Sequence, residues 1–150
     1  MDELIKEDIK NIINSIKKEA PAFEGKTILI SGGAGFLGNY LVATFLQLNK
    51  EVLKNPCKVI VMDNFITGSQ KNLIFASENN PNFRLIEHDV RKPIPMDIDA
   101  DYVIHAAGLA SPFYYKKFPV ETIEVAVNGT KNFLEYTKED NPNLKNDIEA

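Results

Sequence analysis

Tryptophan is absent from the 150 residues, cysteine occurs once, histidine twice, and no apolar run approaches the roughly 18 residues that would span a bilayer. The lone Cys57 excludes an internal disulfide. With no secretory core at the N-terminus either, a reducing cytoplasm is the expected location, and no membrane association is expected. Basic clusters are missing as well. Seventeen Lys and Arg against 21 Asp and Glu leave a net charge of −4, so no surface is set up to neutralise the phosphates of a nucleic acid. No metal site is expected. What is there, 44% hydrophobic and 25% charged residues, is the composition of one folded domain able to bury about two-thirds of its extended surface.

Glycine is sparse overall but dense at one place. The apolar run Thr27-Ile28-Leu29-Ile30 ends in Ser31-Gly32-Gly33-Ala34-Gly35-Phe36-Leu37-Gly38. Phe36 to Leu48 then carries Leu37, Leu41, Phe45 and Leu48 at helical spacing. The pattern is strand, tight turn, helix. Side chains at such a turn would keep the backbone away from a diphosphate, and the helix start presents unpaired N–H groups and a positive dipole end to an anion. Two spacings fit, Gly33-x-Gly35-x-x-Gly38 and Gly32-x-x-Gly35-x-x-Gly38. Glycine bends also close βα connections that hold no ligand, so context decides. Here a second apolar run, Lys58 to Met62, ends in Asp63, 25 residues beyond Gly38. A carboxylate there can accept both hydroxyls of an adenosine ribose and repels a 2′-phosphate, which favours NAD over NADP.

The remaining chain reads as follows. Asp2 to Glu19 repeats Leu4, Ile5, Ile9, Ile12, Ile13 and Ile16 at helical spacing and predicts an extra helix covering a sheet edge or a partner surface. After Asp63, the loop Asn64-Phe65-Ile66-Thr67-Gly68-Ser69 leads to a helix around Gln70 to Ser77. Phe83 to Glu87 is a third strand ending in His88-Asp89-Val90, where Asp89 could accept from an adenine amino group or cap the loop, and Val90 could cover the ring. Pro93 and Pro95 forbid a crossover helix. Tyr102 to His105 is a fourth strand followed by Ala106-Ala107-Gly108, small enough for the nicotinamide half of a dinucleotide to lie on the backbone. His105 itself reads as a packed, hydrogen-bonded side chain. Ser111 to Lys117 is a loop whose Ser111, Tyr114 and Tyr115 are candidates to meet a substrate. Pro119 starts a helix with Val120, Ile123, Val127, Phe133 and Leu134 on its inner side.

Jointly, Gly32-Gly33-Ala34-Gly35-Phe36-Leu37-Gly38, Asp63-Asn64-Phe65 with Thr67-Gly68, His88-Asp89-Val90, and His105-Ala106-Ala107-Gly108 through Ser111-Pro112 resemble the N-terminal half of the extended short-chain dehydrogenase/reductase family. Within these nucleotide-sugar epimerases, dehydratases and decarboxylases, the pattern is most similar to the branch that decarboxylates UDP-glucuronate. The resemblance implies an α/β fold: a Rossmann-like doubly wound parallel sheet, incomplete at about four strands in the order 3-2-1-4, with the extra N-terminal helix in addition. The implied units are residues 1–24 as helix and linker, 25–140 as the NAD-binding half-domain and 141–150 as a polar tail. It implies NAD as cofactor, a UDP-linked sugar as substrate, oxidation at the sugar C4 and, through the open edge of the fourth strand, a homodimer. In that branch the C4 ketone turns a glucuronate into a β-keto acid that loses carbon dioxide.

The family's base is a Tyr-x-x-x-Lys pair beside a Ser or Thr. Here the residues four beyond the five tyrosines are Thr44, Ala106, Phe118, Pro119 and Asp140. No catalytic residue is therefore assigned, and the chain reads as the cofactor-binding portion of a longer enzyme, inactive alone. It departs from the family pattern at Ala126, where Asn is usual, and at Glu124, where the decarboxylases often carry Lys. A nucleotide-binding regulatory module and one half of a split enzyme are the open alternatives.

Overall fold

The computed structural model describes residues 3–69, 71, 73, 80–95 and 97–138. Its centre is an all-parallel sheet in the order β3-β2-β1-β4, formed by β1 (Thr27–Ser31), β2 (Lys58–Asp63), β3 (Phe83–Glu87) and β4 (Tyr102–His105). β1 and β2 read as unbroken apolar runs because both of their faces are covered. Ile28, Ile30, Val59 and Val61 point to one side, Leu29, Ile60 and Met62 to the other, as the two-residue period of a strand requires.

The first side is filled by α2 (Phe36–Glu51) through Val42, Phe45, Leu46 and Leu48. Leu37, expected on this buried stripe, is instead 71% exposed. It sits in the first turn of the helix, whose buried contact with the bend is made by Gly38. Asn49 closes the α2–β2 connection by exchanging two hydrogen bonds of 2.8 Å with the Cys57 backbone. The N-terminal helix α1 (Glu3–Ile16) buries Ile9 and Ile13 in the same cluster. It covers α2 rather than a sheet edge, and the Tyr40 hydroxyl donates to Asp8 at 3.0 Å.

The second side is covered by a helical run comprising α4 (Pro119–Glu124), one π-helical segment (Val125–Gly129) and α5 (Thr130–Lys138). Val125, Gly129, Phe133 and Tyr136 are its buried residues, and the Tyr136 hydroxyl donates to the Ile98 carbonyl at 2.7 Å. Of the inner face expected from spacing, Phe133 alone is inside; Val120, Ile123, Val127 and Leu134 are 62, 65, 61 and 44% exposed. The π segment widens one turn and breaks the continuous 3.6-residue phase on which that expectation rests. A second correction concerns Ser111 to Lys117, expected as a loop. Pro112 begins a short helix, α3 (Pro112–Lys117), a residue whose fixed φ and missing N–H suit a helix start.

Between β3 and β4 the described residues form no helix, in keeping with Pro93 and Pro95. The helix expected around Gln70 to Ser77 and the polar tail 141–150 lie largely or wholly outside the described residues. Among the described residues no helix is long and apolar enough to cross a membrane.

Candidate dinucleotide site

The glycine bend is shaped by contacts that tolerate no side chain. Gly32 has φ +70°, in the left-handed region, and its N–H donates to the Met62 carbonyl at 2.8 Å. A Cβ on Gly32 would lie 2.7 Å from the backbone of Ala107, and one on Gly38 would run into the Gly32 carbonyl oxygen. Gly33 instead faces inward onto Val61 and Val42. The structure therefore selects Gly32-x-x-Gly35-x-x-Gly38 from the two spacings. Gly35 caps the 16-residue α2 without a side-chain hydrogen bond, so the N–H groups of Phe36, Leu37 and Gly38 have no acceptor within the helix. Phe36 and Leu37 can serve an anion only through those amides, because their side chains point to solvent.

Asp63 ends β2 directly beside the bend. Its Oδ2 accepts from the Ala34 N–H at 2.9 Å and its Oδ1 from the Phe65 N–H at 2.8 Å. Each oxygen keeps one further acceptor position, so the carboxylate can hold the bend and still bind a hydroxyl. Phe65 adopts φ +56°, rare for a bulky residue, and turns its ring towards the core. Gly68 lies so close to Ala34 that a Cβ would be 2.7 Å from the Ala34 carbonyl oxygen. Both shape the loop and do not line the cleft.

Bend and loops border a shallow cleft that is open to solvent. Gly32 and Gly35 of the bend line it together with Asp63, Asn64, Ile66 and Thr67 after β2, Val90 and Arg91 after β3, Ala106, Ala107 and Gly108 after β4, and Val125 of the π-helical segment. Nine of the residues singled out in the sequence thus meet around one space. Gly38, Phe65, Gly68 and Asp89 do not line it, and neither do Ser111, which caps the start of α3, or Tyr114 and Tyr115 on that helix. Ile66, Arg91, Glu121 and Val125 line the cleft without having been anticipated. Glu121 and Val125, four residues apart, could have been found as one helical face.

The Asp89 carboxylate, considered above for adenine, is held by the Arg91 guanidinium through Nε at 3.0 Å and Nη2 at 2.6 Å. Arg91 Nη1 reaches Glu124 at 2.8 Å, tying the end of β3 to α4. Arg91 holds Asp89 below the usual carboxylate range although burial opposes it. At the other end His105 is the packed side chain expected: Ser31 Oγ lies 2.7 Å from its Nδ1, Phe133 stacks on the ring at 4.7 Å, and burial pushes its pKa down.

A doubly wound parallel sheet with a glycine bend between its first strand and first helix, and a cleft at the carboxyl ends of the strands, defines a protein of the Rossmann-like class. The chain belongs to the NAD dependent epimerase/dehydratase family, whose model matches residues 28–146. It is 44% identical over 111 residues to UDP-glucuronic acid decarboxylase 1 of Arabidopsis thaliana, covering 74% of this chain and 23% of that protein. Among solved structures it resembles the UDP-N-acetylglucosamine 4-epimerase of Methanobrevibacter ruminantium, with TM-score 0.56, 27% identity and coverage of 77% and 35% of the two chains. It also resembles a dTDP-glucose 4,6-dehydratase of Bacillus anthracis in complex with NAD, with TM-score 0.57, 25% identity and coverage of 75% and 34%. The chain spans about a quarter to a third of the length of these relatives.

Proposed function

We propose that the chain is the NAD-binding portion of an enzyme that modifies a nucleotide-linked sugar through transient oxidation at C4, with UDP-glucuronate decarboxylation as the reaction. The observation that carries the cofactor is the cradle at Gly32 and Gly38, which a single Cβ would fill, next to a carboxylate with acceptor positions to spare. The substrate class rests on the names of the relatives. When bound, NAD supplies reversible hydride acceptance. The residues of this chain then bind and orient. The amides of Phe36, Leu37 and Gly38 face the diphosphate, Asp63 accepts the adenosine ribose hydroxyls, Asn64 and Thr67 border that ribose, and Val90 covers adenine. Ala106, Ala107 and Gly108 support the nicotinamide half, and residues 25–140 form the cofactor unit. Ser111, Tyr114 and Tyr115 stand on the substrate side.

The proposed enzyme is a cytoplasmic homodimer. Support comes from Val120, Ile123, Val127 and Leu134, an apolar stripe too exposed to belong to the core of this chain. The reaction is tested by incubating the full-length protein with UDP-glucuronate. UDP-xylose and carbon dioxide are expected, whereas an epimerised or dehydrated sugar would move the enzyme to another branch and no consumption of any nucleotide sugar would overturn the reading. The 150 residues alone are expected to turn over none.

A further inference from the structure

The Ala106–Ala107 backbone, which lines the cleft after β4, is backed by Ser31 and His105, and the His105 ring packs in turn on the helical run that carries Val125 to the same cleft. Ser31 is fully buried, and its Oγ accepts from Ala106 N–H at 3.1 Å and Ala107 N–H at 3.2 Å. With both lone pairs used, the hydroxyl proton must be given away, and His105 Nδ1 at 2.7 Å is there to take it. That leaves the proton of the neutral imidazole on Nε2, the nitrogen that faces Gly129 of the π-helical segment. The ring cannot shift to another arrangement. Phe133 stacks on one face at 4.7 Å, and Gly129 lies so close that a Cβ there would be 3.1 Å from Nε2.

Each member of this hydrogen-bonded chain has one role only. Ser31 is acceptor to two amides and donor to one nitrogen, and His105 is acceptor at Nδ1, with its own proton on Nε2. Directional chains of this kind have no alternative of equal energy once they are dry. We propose that His105 is a positioning residue: hydrogen-bonded to Ser31 on one side and packed on Gly129 and Phe133 of the helical run on the other, it fixes how far the Ala106–Ala107 backbone stands from that run at the end of the cleft assigned to the nicotinamide ribose. The inference rests on the cofactor reading above, and assigns that end of the site its support.

The full-length protein tests it with His105→Phe, which keeps the stack on Phe133 and removes the hydrogen bond to Ser31, and with Ser31→Ala, which leaves the ring in place and strands the Ala107 amide, the Ala106 N–H keeping the Ser31 carbonyl at 3.2 Å. Calorimetry compares NAD with ADP, which carries the diphosphate and adenosine but lacks the nicotinamide riboside. Both variants should weaken NAD roughly tenfold, the scale of one lost buried hydrogen bond, and leave ADP within about twofold. Unchanged NAD affinity in a folded variant, or equal losses for NAD and ADP, overturns the proposal. Should neither variant fold, nitrogen NMR of the wild type decides. A bare Nδ1 and protonated Nε2 on His105 at neutral pH are expected, and a protonated Nδ1 overturns the chain of donors. Wild-type protein that binds neither ligand removes the cofactor reading and this inference together, whereas wild-type binding with unaffected variants removes this inference alone.

Discussion

Replacing Gly38 with alanine sets two physical effects of opposite sign against each other. As a residue of α2, alanine is worth up to about 1 kcal/mol more than glycine in helix propensity, so a helix judged alone would be stabilised. In the fold the new Cβ would enter the Gly32 carbonyl oxygen and sit 2.7 Å from the Gly33 Cα. All of these are backbone atoms, with no side chain to swing aside. Forcing such an overlap costs about 1–3 kcal/mol, and the helix has to lift off the bend. The net expectation is a loss of roughly 1–2 kcal/mol. Three companions calibrate it. Gly108→Ala meets nothing within 4 Å and should change stability by less than about 0.5 kcal/mol. Gly25→Ala also has open space but a φ of +66°, and should cost about 1 kcal/mol of backbone strain alone. Gly32→Ala combines φ +70° with contacts of 2.7 Å to Ala107 and should be the most damaging. Urea unfolding of the full-length protein at constant m-value gives the ranking. A midpoint for Gly38→Ala equal to or above wild type would refute the steric account of the bend.

Two further outcomes follow from the charges. Arg91→Ala leaves the largely buried Asp89 carboxylate without its partner and should cost about 1.5–3 kcal/mol, whereas Glu124→Ala removes a half-exposed partner and should cost less than about 1 kcal/mol; equal losses in chemical denaturation would contradict the assigned geometry. His105 is depressed by burial below its ordinary 6.5, so the folded state resists its protonation while the unfolded chain does not. Its contribution to stability is complete above pH about 6.5 and declines as the pH falls from there towards the folded-state value. Melting temperature should therefore drop more steeply over that window in wild type than in His105→Phe, and parallel curves would count against the buried neutral ring.

The strands were legible because burial on both faces leaves uninterrupted runs such as Ile28-Leu29-Ile30, which nothing else in a polar chain imitates. The bend was legible because glycine is the one residue whose absence of a side chain is itself the signal. Less could be read from the helices on the second side. Val120, Ile123, Val127 and Leu134 are apolar and helically spaced, but periodicity says only that a face is apolar, not which neighbour it meets. The π segment then changed the phase, and Gly129, Phe133 and Tyr136 took the inner positions. Arg91 escaped notice for another reason: its partner Glu124 lies 33 residues away, and no local pattern links them. Asp89 reads from the sequence as an adenine acceptor or a loop cap, and in this structure its carboxylate meets Arg91.

In the proposed complex the amides at the start of α2 hold the diphosphate of a dinucleotide and the carboxylate of Asp63 holds its adenosine ribose. Calorimetric titration of NAD into full-length wild-type protein and into Asp63→Ala tests it most directly. The account predicts saturable binding of NAD in wild type, weaker binding of NADP, and loss of that preference in the variant. Absence of any NAD binding to folded wild-type protein, or an NAD preference that survives in Asp63→Ala, would contradict it.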